Sequence, residues 1–322
     1  MGSRSPKTLT TTILLLFIIA LISRLMNMNF VLYVLTLVAL WAYLGQCWNI
    51  CYGYAGILSF GHAAFFGIGA YTSTLLLLNY GMSPWVGILF AGSTAALLGL
   101  VMGIPTLKLK GAYFALATIA VSEMVRLLTL KLDFITNGAL GLLLPTDLSP
   151  LDFYFYDAFH WFLVIFIMLC TLLFISYRFE NSRLGIASLA IKNDEIASAA
   201  LGVYPFKIRM IVLALSAFFT GIGGVFYAQF VGYIRPDIVL TPVISDQILL
   251  VPLLGGVGTL MGPVIGAIIF IILKHLFLAL FGGGTAGAYL IIYGALIVIV
   301  ARFMPQGIYP LLRSAVRRLS KT

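Results

Sequence analysis

Residues 53–71, GYAGILSFGHAAFFGIGAY, carry the sequence pattern that decides the fold. The stretch is apolar enough to enter a bilayer, yet it holds five glycines, a serine and a histidine. Ser59, Ala63 and Gly67 recur at every fourth position, which places small residues on one helical face. Helices in lipid associate through such faces, because small residues let their backbones approach closely. The stretch therefore predicts a membrane helix inside the protein, with Gly67 at a helix contact.

The composition places the whole chain in a membrane. Hydrophobic residues make up 62% of the 322 residues and charged residues only 9%, against about 25% in ordinary globular domains. A soluble domain needs more polar surface than this, whereas lipid removes the need. The sequence therefore predicts an all-α, polytopic integral membrane protein surrounded by the lipid bilayer. The net charge of +9 is attributed to membrane topology, and no nucleic-acid partner is expected.

Apolar runs long enough to cross a bilayer predict about ten transmembrane helices. Residues 1–322 are expected to form a single transmembrane domain. The eighth run is short and contains Pro252, so whether it crosses fully stays open. The predicted spans are residues 9–23, 29–46, 53–78, 84–104, 112–131, 159–177, 210–230, 243–256, 259–280 and 286–304.

The distribution of Lys and Arg predicts the orientation of these spans. Ten spans place the basic loop at residues 178–209, the basic C-terminal tail and the basic N-terminus on one side. The bias of Lys and Arg toward the cytoplasm makes this the cytoplasmic side. The loop at residues 132–158 holds four aspartates and no Lys or Arg, and the same count places it outside. Both termini are therefore predicted to be cytoplasmic.

Glycine pairs predict a helix break at membrane depth at the start of the quoted stretch. Gly53 and Gly56 can interrupt the helix, and broken backbone is tolerated only where protein or a water-filled cavity supports it. The N-terminus of a half-helix can point its positive end at an anionic group. Gly53, Gly56, Ser59 and His62 are therefore candidates for a substrate pathway. Tight helix packing is the alternative for the glycines, and a backbone partner is the alternative for the lone histidine.

A second glycine pattern lies in the sequence GGVGTLMGPVIGA, residues 255–267. Its opening glycines predict another helix break. Gly258, Gly262 and Gly266 then form a regular small-residue stripe. We expect this stripe to pack against another helix.

Glu123 and Arg126 are ionisable residues three positions apart inside a predicted span, so they share a helix face. Charged residues within spans are expensive, which makes them functional candidates. Mutual neutralisation is one interpretation of the pair. A contact with the substrate pathway, for which Glu123 is the candidate, is the other.

Sequence motifs for enzyme chemistry are missing. No Gly-Lys dipeptide occurs, so the chain lacks a phosphate-binding loop and its own ATPase motif. Metalloprotease and nucleophile-elbow patterns are also absent, and three scattered histidines predict no metal site. The chain is therefore expected to act in transport and not as an enzyme.

The loop at residues 178–209 is too long for a hairpin and predicts two short amphipathic helices. Charged residues at 192–195 separate the helices, and Gly202 ends the second. The small side chains of Ala199 and Ala200 fit a groove on a partner, with a nearby carboxylate pairing with a basic residue at its rim. A solvated linker is the alternative. The coupling candidates are Arg183, Lys192, Glu195, Ala199, Ala200 and Gly202.

Five sequence blocks follow one another between residues 30 and 305. They are GYAGILSFGHAAFFGIGAY, GAYFALAT, TNGALGL, RLGIASLAIKNDEIASAALGVYPFKIRMIVLALSAFFTGIGGVFYA and LLGGVGTLMGPVIGA. Together they resemble the LivM-type permeases, the membrane subunits of bacterial ABC importers for branched-chain amino acids. Tyr113, in the second block, joins the candidates for the substrate pathway.

The resemblance implies a permease subunit in the bacterial inner membrane that passes leucine, isoleucine and valine. It implies two ATP-binding subunits, a LivH-type second permease and a periplasmic amino-acid-binding protein as partners. ATP and Mg would be bound by the partners, with no cofactor in this chain. The resemblance also implies that the segment around Glu195, Ala199 and Gly202 docks on an ATPase subunit.

Two departures from the family leave the substrate open. Ile57 stands where the family often has Gln, and Gln247 stands where it often has an acidic residue, with Asp246 one position earlier. Other amino acids and urea therefore stay possible as substrates of a permease of this family. A self-sufficient secondary carrier of small polar solutes is the other alternative, and it predicts transport by this chain alone under an ion gradient.

Overall fold

The computed structural model describes residues 6–145, 149–281, 302 and 307–309. Helices dominate this part of the chain, and a π-helical turn, Asn49–Tyr54, continues the second helix. Short 3₁₀ turns lie at Gly138–Leu140 and Pro150–Asp152. The helices described are α1 (Pro6–Leu25), α2 (Asn29–Trp48), α3 (His62–Tyr80), α4 (Pro84–Thr106), α5 (Ala112–Lys131), α6 (Asp133–Thr136), α7 (Ala158–Glu180), α8 (Arg183–Asn193), α9 (Glu195–Ala200), α10 (Pro205–Val231), α11 (Pro236–Val239), α12 (Pro242–Gly255) and α13 (Gly262–Phe281).

Seven helical segments of the described chain are long and apolar enough to cross a membrane. Leu14–Leu25 and Gly262–Phe277 are shorter apolar helices that coincide with two more predicted spans. The predicted span at residues 286–304 lies outside the described residues except for position 302. The all-α polytopic class is therefore confirmed, while ten crossings stay a prediction. The seven segments are Asn29–Tyr54, His62–Tyr80, Pro84–Thr106, Ala112–Lys131, Ala158–Glu180, Pro205–Val231 and Pro236–Gly255.

Two predicted boundaries were wrong. The predicted span at residues 53–78 begins as a helix only at His62, because the chain is non-helical from Gly56 to Gly61. The predicted loop at residues 178–209 is shorter than expected, since α7 continues to Glu180 and α10 begins at Pro205. Proline fits the first position of a helix, where its missing N–H costs nothing. Hydropathy counting missed this start because charged residues occupy the first turns of α10.

The described chain divides into two compact units, and a single domain over residues 1–322 stays a prediction. The larger unit comprises Gln46–Phe155 and Phe174–Leu249. The smaller unit comprises Met1–Gly45, Tyr156–Leu173 and Leu250–Thr322.

The centre of the larger unit is formed by α3, α4 and α10, which pack on one another. Gly69 lies against the backbone of Gly221, and Gly224 lies against the carbonyl oxygen of Phe66, so that a Cβ atom at Gly69 or Gly224 would overlap the facing backbone. α4 runs antiparallel to α10, since Gly103 faces Met210 near the start of α10. Small residues therefore set the spacing of this helix triplet.

A short antiparallel ladder closes one edge of the larger unit. β1 (Leu142–Leu143) pairs with β2 (Tyr233–Ile234), and the Tyr233 hydroxyl donates to the Leu140 carbonyl oxygen at 2.7 Å. β1 follows α5 and β2 follows α10. The C-terminal ends of α5 and α10 therefore lie at the same edge, opposite the edge at which α10 begins.

Aromatic rings and an arginine join helices of the smaller unit. The rings of Trp41 and Phe270 lie edge to face with centroids 5.6 Å apart. The guanidinium of Arg24 lies 4.5 Å from the ring centroid of Phe159 and 3.9 Å from a carboxylate oxygen of Asp157. These contacts join α2 to α13 and the end of α1 to the start of α7.

Candidate functional site

The chain between α2 and α3 is interrupted, as the glycine pattern predicts. The π-helical turn Asn49–Tyr54 widens the end of α2, and residues 56–61 have no helical structure. Gly56 adopts a φ of +70°, a left-handed conformation that glycine takes without steric cost. The predicted break is therefore confirmed at Gly56, while Gly53 lies within the π-helical turn.

Side chains from neighbouring elements satisfy the backbone of this interruption. The Trp48 indole N–H donates to the Ser59 carbonyl oxygen at 2.9 Å, and the Phe60 amide donates to the Thr118 hydroxyl at 3.0 Å. The Gly61 amide donates to the Ser59 hydroxyl at 3.2 Å. Non-helical backbone is stable at membrane depth when protein supplies such partners.

The N-terminus of α3 is also bound within the protein. The Ala63 amide donates to the Ser245 hydroxyl at 2.8 Å, which supplies one partner that the helix start lacks. The His62 Nε2 atom lies 2.9 Å from the Ser216 hydroxyl, and this hydroxyl donates to the Cys47 carbonyl oxygen at 2.7 Å. A hydroxyl has only one proton, so His62 Nε2 is the donor in its contact with Ser216.

Ser59 and His62 are completely or almost completely buried, and both bond to protein groups that fasten the interruption. Their contact with a substrate stays a prediction. Sequence reasoning missed Thr118, Ser216 and Ser245, which are hydroxyl side chains in predominantly apolar runs. Their position inside predicted spans was the only signal for them.

The second glycine pattern also interrupts a helix. Gly256 has a φ of +134° and Gly258 a φ of +74°, and the chain between α12 and α13 is non-helical. The Thr259 hydroxyl accepts from the Gly262 amide at 2.9 Å and begins α13. Gly262 lies against the Gly256 carbonyl oxygen and Gly266 against that of Val251. The predicted break is confirmed, and Gly255, Gly262 and Gly266 allow α12 and α13 to approach backbone to backbone. Gly258 lies in the non-helical link, so its predicted place in a helical stripe with Gly262 and Gly266 was wrong.

Gly67 is buried on α3, where a Cβ atom would overlap the side chain of Leu240. Sequence reasoning did not single out Gly69, Gly221 or Gly224, at which α3 and α10 approach most closely. The signal was present in the sequence GIGGVFYA of α10, which has small residues on one face.

A cluster of three charged side chains joins α5 to α11. The Arg126 Nε atom donates to both carboxylate oxygens of Glu123, at 3.1 and 2.9 Å, and its Nη2 atom donates to Oε1 at 2.5 Å. The Arg126 Nη1 atom donates to Asp237 Oδ1 at 2.7 Å. Mutual neutralisation of Glu123 and Arg126 is therefore confirmed. Asp237 was missed because it lies 111 positions along the chain.

Tyr113 lies at the other end of α5 and is 73% exposed. Ten residues of helix separate it from Glu123, which is about 15 Å. The structure therefore does not bring these two pathway candidates together.

The segment between α7 and α10 forms the two predicted short helices. The Ser182 hydroxyl accepts from the Gly185 amide at 3.2 Å and begins α8. The Asp194 carboxylate accepts from the amides of Ile196 and Ala197, both at 2.9 Å, and begins α9. Gly202 follows α9 with a φ of +85°. Each helix start and end therefore has a local cause in the sequence.

The second of these helices presents an apolar surface. Ile196 is 82% exposed and Leu201 is 85% exposed, and Ala199 and Ala200 are exposed between them. Large apolar side chains at this exposure on one short segment are typical of an interaction surface. We call residues 196–204 the α9 surface.

Glu195 has a partner within the chain. Its carboxylate lies 3.1 Å from the Arg209 guanidinium, so Arg209 takes the place that the sequence assigned to a basic residue of a partner. Arg183 is exposed at the start of α8.

Lys192 connects the two sets of candidates. Its ammonium donates to the Gly53 carbonyl oxygen at 2.7 Å and lies 5.7 Å from the ring centroid of Tyr52. A Cβ atom at Gly56 would lie 3.2 Å from the Lys192 side chain. Burial lowers the pKa of Lys192 below its ordinary value. The end of α8 is therefore fastened to the π-helical turn that precedes the interruption.

Within the described residues, no group of three or more His, Cys, Asp or Glu side chains could hold a metal ion.

Comparison with known proteins gives the family. The family described as "Branched-chain amino acid transport system / permease component" matches residues 30–301. The high-affinity branched-chain amino acid transport system permease protein LivM of Escherichia coli K12 is 31% identical over 306 residues, 88% of this chain and 70% of the relative. The probable LivM protein of Methanocaldococcus jannaschii is 28% identical over 268 residues, 71% of this chain and 75% of the relative.

The high-affinity permease protein LivH of Escherichia coli K12 is 22% identical over 298 residues, covering 85% of this chain and 92% of the relative. No solved structure matches the chain significantly. The family match covers residues 30–301, and the LivM protein of Escherichia coli is 31% identical over most of the chain. The protein therefore belongs to the permease component family of branched-chain amino acid transport systems.

Proposed function

We propose that this chain is a permease subunit of an ATP-driven importer that passes branched-chain amino acids across the bacterial inner membrane. The LivM relatives named above are described as permease proteins of branched-chain amino acid transport. The observation that carries the proposal is the bond from Lys192 to Gly53, because it links an exposed helix pair to an interrupted membrane helix.

The α9 surface is the proposed docking site for an ATP-binding subunit. It is apolar, exposed and formed by a short helix with capped ends. Movement of a docked partner would displace α8, and the Lys192 side chain would pull on the carbonyl of Gly53. Transport would then be coupled to ATP hydrolysis through the interruption at residues 56–61. Gly53, Gly56, Ser59, His62, Tyr113 and Glu123 stay the proposed pathway residues, and Arg183, Lys192, Glu195, Ala199, Ala200 and Gly202 the proposed coupling residues.

The two edges of the larger unit support a proposed membrane orientation. α10 has 27 residues and is about 40 Å long, enough to cross the bilayer. It begins beside α8 and α9 and ends at the β1–β2 ladder. The basic segment around α8 and α9 is proposed to lie in the cytoplasm with both termini, and the ladder outside. Ten spans in one domain complete this proposal.

The proposed assembly has a LivH-type second permease, two ATP-binding subunits that hold ATP and Mg, and a periplasmic amino-acid-binding protein. A LivH protein aligns with most of this chain, which supports two similar permeases in one importer. The chain itself supplies the path for the substrate and the contact with the ATP-binding subunits.

Reconstitution in liposomes tests the proposal. The complete importer should take up leucine only with ATP inside and a loaded binding protein outside. The chain alone should transport nothing, with or without an ion gradient. Leucine uptake by the chain alone under an ion gradient would show a secondary carrier, and uptake of urea in place of leucine would show a different substrate.

A further inference from the structure

The cluster of Glu123, Arg126 and Asp237 is partly exposed within segments long enough to cross the membrane. The exposed side-chain fractions are 36% for Glu123, 21% for Arg126 and 49% for Asp237. Charged side chains that face lipid are costly, and Asp237 follows β2 by only three residues, at the ladder edge of the larger unit. Lipid is therefore a poor neighbour for this cluster, and water or a polar group must lie opposite it.

The hydrogen bonds of the cluster leave donors and an acceptor unused. A guanidinium has five N–H groups, and Arg126 uses one each on Nε, Nη2 and Nη1. Two N–H groups of Arg126 and the Asp237 Oδ2 atom have no partner among the described residues. Because Glu123 occupies the opposite edge of the guanidinium, it holds Arg126 in place. The cluster therefore offers cationic donors and an anionic acceptor side by side.

The buried hydroxyl of Tyr71 is a further polar group near the cluster of Glu123, Arg126 and Asp237. Tyr71 of α3 is 3% exposed, and its hydroxyl has no hydrogen-bond partner in the described part of the chain. Tyr71 lies one helical turn after Gly67, where a Cβ atom would meet Leu240 and the carbonyl oxygen of Val239, so Tyr71 is on the face of α3 that packs against α11. A buried polar group without a partner is costly, so a ligand that bonds to Tyr71 would remove that cost.

We propose that Tyr71, Arg126 and Asp237 form a passage site for the zwitterionic head group of an α-amino acid. Asp237 accepts from the ammonium, the free N–H groups of Arg126 donate to the carboxylate, and the Tyr71 hydroxyl completes the site. Glu123 is a positioning residue for Arg126. The inference rests on the proposed function and deepens it. The site would recognise the charged head group that all α-amino acids share, and it would not bind neutral urea in the same way.

The complete importer in liposomes, with a saturating loaded binding protein, provides the test. Asp237→Asn should lower the maximal rate of leucine uptake about tenfold, the size expected from losing one hydrogen bond to a charged group. The concentration of loaded binding protein at half-maximal uptake and the subunit composition should not change. Asp237→Glu should restore most of the rate. Asp133→Asn, at an exposed carboxylate of α6 outside the cluster, is the matched control and should have no effect.

Tyr71→Phe removes only the hydroxyl and should also lower the maximal rate about tenfold, since the lost hydrogen bond is to a charged head group. Wild-type uptake in both Asp237→Asn and Tyr71→Phe would overturn the inference and leave the proposed function standing. Loss of subunit assembly in Asp237→Asn would also overturn it, because the cluster would then hold the protein together. A wild-type importer that takes up urea and no amino acid would overturn the proposed function and this inference together.

Discussion

The Lys192 ammonium on α8 bonds to the Gly53 carbonyl oxygen in the π-helical turn after α2, across 139 positions of sequence, at 2.7 Å. Because the acceptor is a main-chain oxygen, the length of this hydrogen bond depends directly on the position of the backbone of the turn. A shift of α8 must stretch this bond or move the turn.

Lys192→Met should uncouple transport from ATP hydrolysis. The variant keeps the apolar length of the side chain but loses its bond to Gly53, which is worth about 1.5–3 kcal/mol for a charged donor. We expect leucine uptake to fall about tenfold while the complex assembles and hydrolyses ATP. Lys207→Met, at an exposed lysine of α10, is the control. Equal uptake in the two variants would rule out the link.

Ala199→Trp tests the α9 surface. A large side chain would overfill the groove of an ATP-binding subunit, and overpacking costs about 1–3 kcal/mol. Co-purification of the ATP-binding subunits and substrate-stimulated ATP hydrolysis should both fall, while the chain still inserts in the membrane. Leu109→Trp, at an exposed residue between α4 and α5, is the matched control. Wild-type values of both measurements in Ala199→Trp would show that this face is not the docking surface.

Gly67→Leu should disturb the packing of α3. The new side chain would overlap Leu240, and overpacking of this kind costs about 1–3 kcal/mol. The thermal midpoint of the purified protein and its yield should drop. Ile68→Leu, a swap of similar volume one position away, should be close to neutral. A Gly67→Leu protein as stable as Ile68→Leu would mean that α3 has room at this face.

Cysteine labelling tests the orientation. Cys47 and Cys51 are buried, so Cys170→Ala gives a suitable background. A cysteine at Leu151, which is 80% exposed, should react with an impermeant reagent added outside intact cells. A cysteine at Leu201 should react only after the cells are opened. The reverse pattern would invert the proposed topology.

The sequence predicted the interruptions because glycine has a direct physical signature. Gly56, Gly256 and Gly258 adopt positive-φ conformations that favour glycine. The short helices α8 and α9 were predicted from their apolar spacing and from Gly202, while the structure adds Asp194 as the residue that begins α9.

The polar contacts could not be predicted in the same way. Ser216, Ser245 and Asp237 bond to residues that are 111 to 182 positions away in the sequence. Only the packing of the helices decides which polar residue meets which backbone group. A serine in an apolar helix does not indicate its hydrogen-bond partner. The position of the interruption could therefore be predicted from the sequence, but the hydrogen bonds that stabilise it could not.

The π-helical turn at Asn49–Tyr54 gives this chain a change of register that an α-helix lacks. A π turn holds one residue more than an α turn. If the turn rewound to α-helical bonding, each residue beyond it would advance by about 1.5 Å and rotate by about 100° relative to α2. Gly53 would then turn its carbonyl oxygen away from Lys192. One residue of surplus backbone would thus let a small displacement of α8 become a rotation at the entrance to α3.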